Sequence, residues 1–568
     1  MTAAFRSEVF EYANTVVEWM AATDPMFATG AGVPGYDALL PDFSSDSQRR
    51  VGEELMNHLI AIDGLQPTDA IDRVARQVLL ERLGARMALQ SFHELERSIS
   101  VINSPLAEIR QVFEMMSTSS AEDAQVLAAR LHAVRGSLKS WRNSLRNVAV
   151  AGQLPAVRHL QGIADQAATY GEGAFTELAE RAATSCFVDV EASGLRAAGE
   201  DADAACRELS AWFVTELLPR AGTKEGCGAQ RYQLWASYWT GTTPDLDELY
   251  AWGYADLQRI RSRMLEIAAE LTPAASSLVE TAEYLDADPA RRIVGVDALL
   301  AKLKSFTAQA VLALDGTHFD IDPRIRFCDA RIAPDGSAAA PYYIGPSEDL
   351  SRPGTTWFPT LGETTFSWWR HASTWYHEGV PGHHLQDGTA ILLGDSLSRF
   401  HRLAGWTSGY GEGWALYAER LMDELGFFSD LGDELGYLSN QALRAARIVV
   451  DLGLHLELAA PEDLGTLGDL GDCSGKTWTP EMAVALLEEW AIQDHETSVS
   501  EVDRYLGWPA QAISYKVGER VWLEARAEAQ ARLGDAFSLK SFHAYALRLG
   551  PLGLDTFAEE LRNWDGRP

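Results

Sequence analysis

The stretch Tyr376-His377-Glu378-Gly379-Val380-Pro381-Gly382-His383-His384-Leu385-Gln386 decides how this chain is read. Two imidazoles can hold a divalent metal, and a glutamate beside the first can take a proton from the water that the metal activates. His371, His377, His383, His384 and His401 fall within 31 residues, where even scattering of the 13 histidines would place fewer than one. The spacing departs from the usual H-E-x-x-H, whose histidines lie about 6 Å apart along one helix face. On a regular helix His383 would fall about 9 Å from His377 and on the wrong face, and His384 on the right face but about 10.5 Å away. Two glycines and a proline in between favour a bulge or a break. A two-residue bulge returns His383 to the place of the second ligand, and a three-residue bulge returns His384. His383 is preferred and His384 is the alternative; the spare histidine orients a ligand or contacts substrate. His93-Glu94 and His495-Glu496 lack a nearby second histidine and read as surface pairs.

A zinc site usually takes a third protein ligand. Downstream comes Gly409-Tyr410-Gly411-Glu412-Gly413-Trp414-Ala415-Leu416-Tyr417-Ala418-Glu419-Arg420, a largely apolar helical stretch. A carboxylate buried there needs a partner. Glu412 and Glu419 are seven apart and share a face, about two turns from each other. Glu412 is assigned as the ligand, and Glu419 as the support for a ligating histidine through its other ring nitrogen. A helix-start carboxylate favoured by the macrodipole is the plainer account of Glu412.

Around these segments the chain reads as mainly helical. Apolar residues recur at helical spacing through much of 67–99, 120–150, 155–185, 188–217 and 246–267, and again near 430–458, 480–496, 509–533 and 553–564. Residues 323–360 differ. Ile325-Arg326-Phe327-Cys328, Pro341-Tyr342-Tyr343-Ile344 and Thr355-Thr356-Trp357-Phe358-Pro359 are short β-type runs divided by Pro, Gly, Ser and Asp. They predict a small sheet of two to four strands, with 355–359 as an edge strand beside the metal helix to which an extended peptide could pair. A loose division near residue 320 gives a helical part, 1–320, forming one side of a cleft, and a catalytic part, 321–568.

Composition narrows the function classes. The chain has 568 residues, 46% of them hydrophobic, which is ordinary for a globular protein. A net charge of −33 repels phosphate backbones and anionic membranes, so neither nucleic acid nor membrane is an expected partner. No run approaches the roughly 18 apolar residues of a membrane helix. Met1 to Met20 carries Glu8, Glu11 and Glu18 and no apolar centre, unlike a signal peptide. Five scattered cysteines without a CxxC indicate neither a disulfide framework nor a thiolate metal site. The cytoplasm is the expected compartment. Gly30-Ala31-Gly32-Val33-Pro34-Gly35 matches a dinucleotide fingerprint, but no strand precedes it and Pro34 sits in its turn.

The motif blocks resemble the bacterial family known as domain of unknown function 885, whose members carry a similar H-E-x-x-P-G-H-H and E-G-W-A-L-Y-A-E. The resemblance takes in Ser351-Arg352-Pro353-Gly354, Asp503-Arg504-Tyr505, Trp508-Pro509-Ala510-Gln511 and Tyr515-Lys516-Val517-Gly518-Glu519, spanning about 340–520. It implies a relative of the gluzincin metallopeptidases, which have a His, His, Glu zinc site, a catalytic Glu and largely helical bodies with a cleft. The stretched motif is similar to that of dipeptidyl peptidase III, although the insertion here is longer. In helical gluzincins a tyrosine or histidine from a late helix often faces the developing oxyanion, and Tyr515 is the matching candidate, with Tyr505 second. Arg504, Lys516 and Arg352 are candidates to receive a substrate carboxylate.

The expectation is therefore a mainly α, zincin-like protein with a cleft and a small β-sheet near the metal-binding helix. It would be a zinc-dependent hydrolase of short peptides, with His377, His383 or His384, and Glu412 on Zn²⁺ and Glu378 as general base. Hydrolysis of another amide or ester is the alternative within that class. A non-catalytic, metal-stabilised binding protein is the alternative outside it.

Overall fold

Helix ends in this chain are set by named groups. Ser120 and Asp123 form a reciprocal cap at the start of Ala121–Val150, whose inward stripe runs Leu127, Leu131, Val134, Leu138, Trp141, Leu145. Gly173 offers no side-chain cap to Ala174–Ser185. Asp203, from the neighbouring helix Leu195–Trp212, accepts from the Phe175 and Thr176 amides instead, at 2.8 and 3.2 Å. The computed structural model describes residues 7–333, 340–347 and 350–567. Among them the chain is mainly helical, with five short strands.

Two compact units are present. The first comprises residues 1–227 with 506–509, and the second 228–505 with 510–568. The boundary thus falls at Cys227/Gly228 rather than near 320. In the first unit, Ala121–Val150, Val157–Tyr170, Ala174–Ser185 and Leu195–Trp212 pack around Leu131, Leu138, Trp141, Phe175, Leu209 and Phe213. The expected 155–185 helix is broken at Gly171–Gly173, and the expected 188–217 helix begins only at Leu195. Glu94, read as part of a surface pair, is fully buried and pairs with Arg97. The first six residues of the segment compared with a signal peptide lie outside the described residues. The helix Glu8–Thr23 that follows is capped by Ser7.

The second unit holds helices α1 (Leu246–Leu271), α2 (Val296–Leu314), α3 (Ala372–Glu378), α4 (His383–Leu393), α5 (Ser408–Glu424), α6 (Leu431–Leu456), α7 (His495–Gly507, as far as Tyr505) and α8 (Ser514–Leu533). Glycines let these helices meet at backbone distance. A Cβ on Gly413 would stand 2.4 Å from Gly518 Cα, so α5 and α8 cross with nothing between them. The expected 480–496 helix ends at Ala491, where Ile492 takes a left-handed φ of 55°, and α7 starts afresh at His495.

Strands β1 (Arg292–Val294), β2 (Asp329–Ile332), β3 (Tyr342–Ile344), β4 (Thr355–Phe358) and β5 (Thr365–Ser367) form two small sheets. β1 pairs antiparallel with β5. In the other sheet the order is β2-β4-β3, with β2 parallel and β3 antiparallel to β4. The strand expected at 325–328 lies four residues later. Asp322 caps Arg324 and Pro323 opens a 3₁₀ turn, which diverts Ile325 from extended structure. Thr355–Phe358 is the central strand, not an edge, so both of its sides are already hydrogen-bonded and no peptide can add there. Residues 334–339 and 348–349, inside the stretch read as sheet, lie outside the described residues. Phe358 and Phe366 pack with Leu299, Leu303 and Trp375, and Trp375 Nε1 donates to Leu303 O and Thr307 Oγ1. That anchor positions α3, and with it His377 and Glu378.

Candidate metal centre

The His-Glu helix stops at Glu378 and a new helix begins at His383. Gly379-Val380-Pro381-Gly382 makes a tight loop between them, with a cis Val380–Pro381 peptide. Gly382 N donates to Tyr376 O, and Trp414 Nε1 donates to Pro381 O and Gly382 O at 2.9 and 3.1 Å. A Cβ on Gly382 would lie 1.8 Å from His377 O, so only glycine fits. The result is a stop and restart rather than a bulge, and it returns His383 to His377.

Three donors converge. Glu412 Oε2 lies 3.3 Å from His377 Nε2 and 3.5 Å from His383 Nε2. One ligand atom from each of the three residues falls within 4.8 Å of the other two, and this is the cluster of three such donors found among the described residues. The two rings are nearly perpendicular, at 88°. Glu412 Oε2 is buried with no hydrogen-bond partner although both imidazoles face it. Two imidazole nitrogens and one carboxylate oxygen suit zinc and its neighbours among divalent metals, and an orphaned buried carboxylate oxygen is what such an ion would satisfy. The residues present fit a divalent cation.

His377 Nδ1 donates to Glu419 Oε1 at 2.8 Å, and the Ser373 hydroxyl donates to the other Glu419 oxygen. Glu419 therefore stands behind His377, one of the two imidazoles of the candidate centre. Burial pulls the His377 pKa down, but Glu412 and Glu419 outweigh it and lift it to about 10. Burial alone would raise the Glu412 carboxyl; the two imidazoles hold it well below the usual carboxylate range. Glu378 is 8% exposed, and its carboxyl is raised by burial against the opposing charges of His377, His383 and Arg444.

His384 is not brought to the cluster. Its Nε2 meets Ile325 O at 2.8 Å and its Nδ1 meets Tyr343 Oη at 3.0 Å, so neither ring nitrogen is left for a metal. Gly354 permits this arrangement, because a Cβ there would strike the Tyr343 hydroxyl and the His384 ring.

The substrate-binding candidates separate. Lys516 is fully buried, with Nζ on Gln441 Oε1, Glu519 Oε2 and Asp256 Oδ2 at 2.5, 2.7 and 3.0 Å, and has no donor left for a substrate. Tyr505 is also fully buried; its hydroxyl donates to Glu501 at 2.6 Å and accepts from Arg447. Both are structural, because helical packing closed over residues that sequence shows only as polar. Arg352 is exposed, and its amide and carbonyl both bond Ser347 in the loop before β4. Arg504 is partly buried between Glu501 and Gln511. Tyr515 is partly buried with the Arg447 guanidinium 4.7 Å from its ring centre.

Three residues escaped the sequence reading. Ser373, one turn before His377, holds Glu419. Asp387, one turn after His383, has its carboxyl raised by burial to about 6, with His383 opposing and Glu412 reinforcing. Helical spacing from the histidines could have flagged both. Arg444, whose charge reaches Glu378, lies 66 residues downstream and carried no signal.

These features define a mainly helical protein with a candidate His, His, Glu metal centre on a broken helix and its partner. The chain belongs to the bacterial family of proteins of unknown function DUF885, whose profile matches residues 25–561. No curated protein matches it. Among solved structures it is similar to a candidate lipoprotein from Colwellia psychrerythraea, at 21% identity and a TM-score of 0.83, covering 98% of each chain. It is also similar to a candidate lipoprotein of unknown function from Shewanella oneidensis, at 17% identity and a TM-score of 0.76, covering 98% of this chain and 100% of that one. At these identities the likeness is one of fold. Among the described residues no helix is long and apolar enough to cross a membrane.

Proposed function

We propose that the protein is a zinc-dependent metallohydrolase acting on short peptides, a relative of the gluzincin metallopeptidases. The observation that carries this reading is the convergence of His377, His383 and Glu412 beside the buried Glu378. When bound, a zinc ion there supplies Lewis-acid chemistry, acidifying a water and polarising the scissile carbonyl. The chain's own residues do the rest. Glu419 holds the His377 proton on Nδ1 and leaves Nε2 free to ligate. Glu378, whose carboxyl is raised by burial, takes a proton from the attacking water and passes it to the leaving amine. Tyr515 donates to the developing oxyanion, its ring braced by Arg447.

An acidic chain favours neither nucleic acid nor an anionic membrane as partner. Cys186, Cys206, Cys328 and Cys473 are free thiols, which suits the cytoplasm, the compartment we assign in this reading. The decisive test is Glu378→Gln in zinc-loaded protein, assayed on a peptide library. The hydrolase reading expects retained zinc and a loss of turnover of at least about 100-fold. Unchanged function with retained zinc would leave a metal-stabilised binding protein instead.

A further inference from the structure

Three arginines gather beside the candidate metal centre with one carboxylate between them. Asn440, Arg444 and Arg447 lie on one face of α6, four and three residues apart. Asn440 ties that face to the His-Glu helix by donating from Nδ2 to Thr374 Oγ1 at 3.2 Å. Arg444 donates from Nη1 to the carbonyl and side-chain oxygens of Asn440, at 3.3 and 3.1 Å, and its Nε is buried with no partner. Among the described residues no carboxylate forms an ion pair with it. One turn on, Arg447 is 5% exposed. Its Nε and Nη2 reach Glu501 Oε2 at 2.9 and 2.8 Å, while its Nη1 is buried without a partner. Arg504 shares the same glutamate through Nη1, at 3.2 Å, and its Nη2 donates to Gln511 Oε1 at 2.5 Å. Gln511 in turn bonds Ser408, in the first turn of the helix that carries Glu412.

Arg447 is buried and Arg444 and Arg504 partly so, and Glu501 is the carboxylate ion-paired with Arg447 and Arg504, an arrangement that is costly to desolvate. Here it occurs in a chain of net charge −33, where acidic partners are plentiful. Two guanidinia retain donors with nothing to bond, which is the arrangement an anionic ligand would complete. A planar guanidinium fork matches a carboxylate. Arg447 and Arg504, held by Glu501, form the rigid backing, and Arg444 is the one tied to the helix of Glu378.

We infer that Arg444, backed by Arg447 and Arg504, receives the free C-terminal carboxylate of a short peptide, so that cleavage falls near the C-terminal end. This rests on the hydrolase reading for the cleavage, but the carboxylate site stands on its own residues. The water oxygen bonds to the carbonyl carbon, the C–N bond breaks, and the released amine takes the proton from Glu378.

Two pools of N-acetylated tripeptides test it, one with free C-termini and one amidated, on the full-length zinc-loaded protein. The expected result is a kcat/KM at least tenfold higher for the free acids, with Arg444→Gln erasing the difference through KM while zinc content and melting temperature hold. Arg444→Lys, which keeps the charge and loses the fork, is expected to recover part of it. Equal cleavage of both pools, or a preference that survives Arg444→Gln, would overturn the inference. Calorimetric binding of the same pools to Glu378→Gln protein separates the two readings. If nothing is cleaved but free acids alone bind, and Arg444→Gln abolishes that binding, the carboxylate site stands and the hydrolase reading falls. If acids and amides bind alike, or neither binds, the carboxylate site falls.

Discussion

His377 Nδ1 lies 2.8 Å from Glu419 Oε1, a contact between two almost wholly buried residues. It fixes the ring so that Nε2 faces Glu412 and His383. Glu419→Gln keeps the shape and removes the charge. Metal affinity is expected to fall 10- to 100-fold, measured by competition with a chromophoric chelator. An unchanged affinity would mean that packing alone orients the ring.

The two adjacent histidines should separate cleanly. His377→Ala, His383→Ala and Glu412→Ala are each expected to lose the roughly one equivalent of zinc that a single site holds. His384→Ala is expected to keep it, because both His384 ring nitrogens serve Ile325 and Tyr343. Elemental analysis of the four purified variants decides this, and zinc loss in His384→Ala would contradict the geometry.

Gly518→Ala probes the helix crossing beneath Glu412. Its Cβ would stand 2.0 Å from Gly409 O and 2.6 Å from Gly413 Cα, both backbone atoms of α5. Overpacking of this kind destabilises by about 1–3 kcal/mol or more. A lower urea midpoint together with weaker zinc binding is expected, since α5 carries Glu412, the proposed third ligand. A variant as stable as the parent would show that α8 can shift freely.

Lys516→Met removes the cation facing Glu519 and Asp256 in the interior. Glu519 keeps Arg420 and Asp256 keeps Arg259, but each loses a charged interior partner, at about 1.5–3 kcal/mol for a hydrogen bond to a charged group, so the variant should unfold at lower urea. Arg352→Ala, at an exposed loop position, should stay within about 0.5 kcal/mol of the parent. A normally stable Lys516→Met protein with raised KM would restore the substrate role that burial argues against.

Acid should destabilise the fold through its buried neutral histidines. Burial pushes His401 down to about 4 and His543 down to about 3. Unfolded histidine titrates near 6.5. Between these values the unfolded chain binds more protons, so stability is full above about 6.5 and is lost as pH falls toward 4 and below. The raised His377 pulls the other way in metal-free protein, so the test is differential: between pH 8 and 5 the melting temperature of chelator-treated His543→Gln should start lower and lose less, or gain more, than the parent's. Equal slopes in parent and variant would remove His543 as a source.

Much of the candidate site was legible along the chain. The proline and glycines between His377 and His383 announced a broken helix, because neither residue type sustains one there. Glu412 and Glu419 announced a shared face by their sevenfold spacing. The short strands were legible as a sheet but not in their order, and the apparent edge strand at Thr355–Phe358 turned out to be central. Pairing partners are chosen across long sequence separations that local patterns do not record.

The sequence by itself determined the helical class, the presence of a His-Glu cluster and the residue that backs it, since these depend on periodicities within one or two turns. Tertiary structure decided which of two adjacent histidines joins the cluster, through the bonds of His384 to Ile325 and Tyr343. It also decided that Lys516 and Tyr505 are interior residues and that Arg444 stands near Glu378. In each case the deciding partner comes from another element, 41 or more residues away for His384 and more than 60 for Arg444. A side chain's chemistry is written in the chain, but its neighbours, and therefore its solvation and free hydrogen-bonding capacity, exist only once the helices have packed.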